Sequence, residues 1–210
     1  MAKKRVAILI SGRGSNMAAL IAAANDPRYP AEIALVVSNR PNAAGLELAH
    51  DAGIATKVVD HNGFGNDREA FECALQSVLE SYGIDLVCLA GFMRLLTPSF
   101  VRRWEGRLLN IHPALLPAFK GLDTHARALA AGVKMHGATV HFVVPQMDSG
   151  PIIAQRSVPV HDNDTVETLA ARVLQEEHRL YPMALKLVAE GRARIVDGQC
   201  LIDQGQGSRR

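Results

Sequence analysis

The sequence predicts an α/β protein with a mostly parallel, doubly wound sheet and a mixed C-terminal half. Three observations carry that prediction. Over the first 110 residues, continuous apolar runs alternate with helical periods, as strands buried on both faces alternate with crossover helices. A glycine-rich turn, Ser11-Gly12-Arg13-Gly14-Ser15-Asn16, joins the first run to the first helical period. Beyond that point the alternation gives way to half-buried strand patterns, long loops and a hairpin signal.

Val6-Ala7-Ile8-Leu9-Ile10 is the first strand, and a helical pattern occupies residues 17–24. The second strand, 33–37, ends in Ser38-Asn39-Arg40; a helix over 42–52, with Asn42 as candidate N-cap, leads to a third strand at 56–59. Asp67 caps a long helix, in which Ala70, Leu75, Val78 and Leu79 form an apolar stripe. The fourth strand is 84–90, residues 91–96 leave it as a largely apolar loop, and Thr97-Pro98 opens a short helix through Trp104. Leu108-Leu109-Asn110-Ile111-His112 follows, ended by Pro113, which has no N–H to give a central ladder. Then come a proline-bounded loop (114–121), a helix (124–131), strands at 138–143 and 152–160, and a long helix to residue 190 capped by Asp164 or Thr165. Asp197-Gly198 closes a final hairpin. No Pro/Ser-rich linker divides the chain, so residues 1–203 read as one domain, and the polar, glycine-rich 204–210 as a disordered tail.

Composition narrows the function. A formal charge of +2 on 210 residues is too small to argue for nucleic acid or an anionic membrane as partner. No apolar stretch approaches the ~20 residues of a membrane helix, and the N-terminus lacks a signal-peptide pattern. Cys73, Cys88 and Cys200 show no CxxC spacing; Cys73 and Cys88 are expected to be buried thiols, and a reducing cytoplasm fits.

The glycine-rich turn aims backbone N–H groups and a helix N-terminus at an anion. It lacks the Gly-Lys-Ser/Thr of a Walker A loop, and Met17 stands where a dinucleotide fingerprint needs its third glycine. Arg40 would suit a 2′-phosphate and so keeps an NADPH reading open, but a bare phosphomonoester fits better; a tight turn that binds nothing is the structural alternative. Asn110 and His112, two apart on one strand, point to the same side at its carboxyl end, where open α/β sheets place ligands. An amide donor and an imidazole there are equipped to stabilise and protonate an oxyanion, with Asp148 a loop carboxylate able to fold back over them. Neither a nucleophile elbow nor a reactive cysteine is present, so the substrate itself must supply the nucleophile, as in group transfer to an amine. The scattered histidines give no metal-ligand spacing.

Taken together, Ser11-Gly12-Arg13-Gly14-Ser15-Asn16, Ala90-Gly91-Phe92-Met93-Arg94, Asn110-Ile111-His112-Pro113, Leu115-Leu116-Pro117, His136-Gly137 and Asp148 before Gly150-Pro151 closely resemble the folate-dependent phosphoribosylglycinamide formyltransferases. The Asn-x-His-Pro and Leu-Leu-Pro pieces are shared with methionyl-tRNA formyltransferases and formyltetrahydrofolate deformylases. The Ser-Gly-x-Gly-Ser-Asn turn favours the glycinamide enzymes, and so does the lack of room for the extra domains that the other two carry. The resemblance implies a Rossmann-like formyltransferase fold with a phosphate-binding half (1–110) and a folate-binding, catalytic half (111–203). It implies 10-formyltetrahydrofolate as co-substrate, no metal, and a monomer or homodimer. Gly14, Ser15, Asn16 and Glu177 would hold the glycinamide ribonucleotide. Arg68, Met93, Arg94, Leu95, Leu96, Asn110, Val144 and Asp148 would contact the folate. Asn110, His112 and Asp148 would be the catalytic trio, with Asp148 raising the pKa of His112. Three positions depart from the family pattern: Ala114 replaces a common Ser, Leu174 a Lys or Gln, and Ser149 a frequent Gly.

Overall fold

The computed structural model describes residues 2–203; the 204–210 tail lies outside the described residues. Seven strands form one sheet in the order β3-β2-β1-β4-β5-β6-β7. β1 (Lys4–Ile10), β2 (Ala31–Ser38), β3 (Thr56–Val58), β4 (Leu86–Leu89) and β5 (Leu108–His112) run parallel. β6 (Met135–Phe142) and β7 (Ile152–Pro159) are antiparallel. The direction of winding reverses between β2-β1 and β4-β5, which opens a crevice above the carboxyl ends of β1 and β4.

Burial on both faces explains the unbroken apolar runs. Val6, Ile8 and Ile10 of β1 pack with Met17, Leu20 and Ile21 of α1 (Ser15–Ala24), Ala49 of α2 (Gly45–Asp51) and Leu169, Val173 and Leu180 of α6 (Val166–Ala189). Ala7 and Leu9 face the other way, toward Phe71, Leu75 and Leu79 of α3 (Arg68–Ser81) and Phe100 and Val101 of α4 (Pro98–Arg103). Asp67 caps α3 as expected, accepting from Ala70 N–H at 2.9 Å. Thr165, rather than Asp164, caps α6, in a reciprocal box with Thr168. Asp197 and Gly198, with φ of 49° and 75°, form the two-residue turn between β8 (Ala193–Val196) and β9 (Gln199–Ile202).

Two local expectations are corrected. Asn42 does not cap α2; the helix begins three residues later, where Gly45 docks on the glycine-rich turn and donates its N–H to Gly12 at 3.0 Å. A side chain at Gly45 would run into Ile10, so the contact fixes where the helix starts. Cys73 is exposed, not buried. The buried stripe of α3 is Phe71, Glu72, Leu75, Gln76 and Leu79, which leaves residue 73 on the outer side and Ala70 and Val78 at the flank. Its two polar members are satisfied: Glu72 accepts from Thr97 N–H at 2.6 Å, and Gln76 from the Trp104 indole at 2.8 Å.

Candidate functional site

The glycine-rich turn ends at Gly14, whose φ of 76° lies in the left-handed region and whose α-carbon packs against Gly45, so a side chain is excluded twice over. Ser15 then starts α1 and leaves the first amides of the helix facing the crevice. Asn16 donates from Nδ2 to Glu177 Oε2 at 2.7 Å, joining α1 to α6, while its Oδ1 is buried without a partner. Burial raises the Glu177 pKa, and the Asn16 hydrogen bond opposes the shift only in part. The four residues expected to meet a ribosyl phosphate and its glycinamide end therefore converge at one end of α1.

Asn110 and His112 leave β5 on the same side, as the alternation predicted. His112 is buried, and oxygens face both of its ring nitrogens. Nε2 donates to the Phe119 carbonyl at 2.9 Å, and Nδ1 lies 3.5 Å from Asp148 Oδ2. A doubly protonated ring satisfies that arrangement with two N–H donors. Asp148, at a φ of 47° on the turn after β6, also accepts from Gly121 N–H at 2.8 Å. Lys120 donates to Ser149 at 2.6 Å, so the hydroxyl that replaces a glycine ties the 114–121 loop down beside the acid. Ala114 is fully buried, with its carbonyl taken by Thr139 at 2.7 Å. Leu174 is half-buried on α6.

Sequence reasoning passed over His141. It lies directly across from Asn110 in the β5–β6 ladder. Its Nδ1–H donates to the Phe142 carbonyl at 2.9 Å, and its Nε2 faces Asn110 Nδ2 at 3.3 Å. Burial lowers the His141 pKa, so the neutral ring is available to accept from the Asn110 amide and orient it. Only the cross-strand register would have revealed this. His125 was also missed, and His136 was quoted only as part of the family motif: they stack edge-to-face at 5.2 Å behind the loop, and the His136 ring lies 5.8 Å from that of Phe119.

On the opposite flank, Arg94 stacks on Phe71 at 4.7 Å, one turn from Arg68 at the start of α3. Met93 and Leu95 project from the loop after β4, and Met147 from the turn next to the half-buried Val144. Exposed apolar side chains beside a polar cluster suit a flat ring with hydrogen-bonding edges. Ser11 Oγ accepts from Met93 N–H at 2.8 Å and donates to Asn39 at 2.6 Å, which leaves the amides beyond Met93 to meet a ligand. Among the described residues no group of His, Cys, Asp or Glu is arranged to hold a metal ion.

The formyl transferase family model matches residues 4–185. The chain is 44% identical to phosphoribosylglycinamide formyltransferase of Escherichia coli K12 over 206 residues, which is 95% of this chain and 97% of that protein. It is 52% identical over 193 residues to the chicken (Gallus gallus) trifunctional purine biosynthetic protein adenosine-3, of whose length it spans 19%. Glycinamide ribonucleotide transformylase 1 of Symbiobacterium toebii superposes with a TM-score of 0.91 at 47% identity, over 95% of this chain and 94% of that one. A formyltetrahydrofolate deformylase of Pseudomonas syringae superposes at 0.88 with 26% identity, over 95% of this chain and 66% of that one.

Proposed function

Because the chain belongs to the formyl transferase family, we propose that it transfers the formyl group of 10-formyltetrahydrofolate to the amine of 5-phosphoribosylglycinamide. The products are the formylated ribonucleotide and tetrahydrofolate, in de novo purine synthesis. Relatives named for that substrate match over nearly their whole length. The observation that carries the mechanism is the convergence of an amide, an imidazole and a carboxylate at the end of β5, with no cysteine beside them among the described residues. Cys88 is sealed in the core with its thiol pushed up to about 12 by burial, and Cys73 and Cys200 lie outside the site.

The substrate amine attacks the formyl carbon, and charge develops on its oxygen. Asn110 keeps one Nδ2–H on His141 and turns the other to that oxygen. His112 supplies the second donor. Its Nε2–H is given to the Phe119 carbonyl at 2.9 Å, so the 114–121 loop must yield that hydrogen bond as the tetrahedral intermediate forms. Asp148, 3.5 Å from Nδ1, orients the ring and organises proton movement from the attacking nitrogen to the leaving one. Gly14, Ser15, Asn16 and Glu177 hold the ribonucleotide. Arg68, the backbone of residues 93–96 and the turn from Val144 to Asp148 hold the folate. Residues 1–203 act as one unit in this scheme, on small molecules, in the cytoplasm, as a monomer or homodimer; no helix among the described residues is long and apolar enough to cross a membrane.

The test is formyl transfer from 10-formyltetrahydrofolate to the ribonucleotide, with methionyl-tRNA and water as competing acceptors. Turnover with the ribonucleotide alone is expected. Formate release to water at an equal rate would make the protein a deformylase and overturn the proposal.

A further inference from the structure

A cavity of about 700 Å³ lies beside the glycine-rich turn, on its β2 side rather than its α6 side. Its wall includes Gly12, Arg13, Arg40, Ala44, His61 and Asn62. It is contiguous with the ribosyl-phosphate end of the site, because Arg13 precedes Gly14 in the chain and Gly45, next to Ala44, packs on Gly14. Among the described residues neither the Arg13 nor the Arg40 guanidinium has a hydrogen-bond or ion-pair partner, although most other arginines in the chain do. His61 gives Nδ1–H to the Asn39 carbonyl at 2.7 Å, which leaves Nε2 free. The nearby carboxylate of Asp60 is engaged by the Asn62 amides at 3.0 Å.

The charge balance of the substrate site supplies the argument. A phosphomonoester carries about −1.5 to −2 at pH 7. The donors assigned to it, at Gly14, Ser15 and Asn16, are neutral, and Glu177 beside them is a carboxyl group. Taking a dianion from water without a cation is costly, and arginine is the side chain best matched to phosphate. The two unpaired cations on the neighbouring wall meet that need. On the reading proposed above, we infer that Arg13 and Arg40 form the cationic wall of a phosphoryl site in this cavity, occupied by the phosphate of the ribosyl substrate. Arg40, which the sequence alone offered to a 2′-phosphate, thus reads a different phosphate of the same chemistry.

The experiment compares wild type with an Arg13→Gln/Arg40→Gln double variant, using Arg102→Gln on the far face as a charge control. Acceptors are the ribonucleotide and its dephosphorylated riboside, and inorganic phosphate is the inhibitor. In the double variant, KM for the ribonucleotide rises roughly tenfold or more with kcat within about twofold, while kcat/KM for the riboside stays level. Phosphate competes with the ribonucleotide in wild type and inhibits the double variant less. An unchanged KM, or an equal loss with the riboside, overturns the inference. So does calorimetry showing that phosphate still binds, through Arg13 and Arg40, to enzyme saturated with the ribonucleotide, since the cavity would then serve a second phosphorylated ligand. Failure of wild type to formylate the ribonucleotide would sink the functional reading instead, and the two failures are thereby distinguished.

Discussion

Acidification tests the packing behind the 114–121 loop. His136 is 1% exposed, neither ring nitrogen has a hydrogen-bond partner, and burial together with the His125 and His112 charges lowers its pKa from 6.5 to about 4. The unfolded chain titrates near the ordinary value and so binds the proton more readily between those limits. Stability held above pH 6.5 is therefore lost as pH falls through that window. At about 1.4 kcal/mol per pKa unit, the drop to about 4 contributes about 3 kcal/mol between pH 7 and pH 4. His136→Phe isolates the effect. The aromatic edge against Phe119 is kept, and the titrating group is gone. Urea unfolding followed by circular dichroism, at half-unit steps from pH 7 to pH 4, reads it out. Wild type should lose about 3 kcal/mol more than the variant over that range. Parallel curves would show that the buried ring bears no proton-linked penalty and would refute the reasoning.

Three further outcomes follow from the site. Asp148→Asn keeps the shape of the turn but removes the charge opposite His112 Nδ1; kcat should fall by roughly 10²–10³-fold, the scale of a lost oxyanion donor, with KM for both substrates changed far less. Glu177→Gln should weaken ribonucleotide binding in calorimetry while raising the melting temperature at neutral pH. The raised carboxyl pKa means that the folded state loses stability as pH climbs through the folded value, and the amide escapes that loss. Gly150→Ala would place a methyl 1.7 Å from the Phe142 carbonyl, so the turn that carries Asp148 must move; expected is a loss of about 2 kcal/mol or more in urea unfolding, accompanied by a rate defect like that of Asp148→Asn.

What the residues revealed unaided was local. Unbroken apolar runs marked strands covered on both faces, Asp67 marked the start of α3, Asp197-Gly198 marked the hairpin, and strict alternation put Asn110 and His112 on one side of β5. What escaped was set by neighbours distant in sequence. Nothing near Asn42 says that α2 must wait for Gly45 to meet the glycine-rich turn. The outward position of Cys73 depends on which edge of α3 the sheet accepts. Asp148 was offered as a loop carboxylate able to fold back, and only the resemblance put it in the trio, because 35 residues of loop, helix and strand intervene. The loop carbonyl that holds His112 could not have been read from Phe119, since backbone acceptors leave no trace in residue type.

The position of β5 explains why the chemistry sits there. It is the last parallel strand and the first with an antiparallel neighbour: Asn110 pairs with Leu89 of β4 on one side and His141 of β6 on the other. Parallel pairing puts the carboxyl ends of β1, β4 and β5 together, so the anion turn after β1 and the loop after β4 open onto the same crevice as His112. Antiparallel pairing sets residues directly across from each other, which places His141 against Asn110 and Thr139 against His112. Thr139 in turn fixes the chain just after His112, donating to the Ala114 carbonyl at 2.7 Å and accepting from Leu116 N–H at 3.0 Å. β6 itself ends beside Leu109, with Val143 N–H on the Leu108 carbonyl at 2.9 Å, so the turn that follows it folds back along β5 to bring Asp148 to His112. The change of strand direction thus supplies the cross-strand partners that hold the donors, and the returning turn after β6 supplies the acid that faces the imidazole.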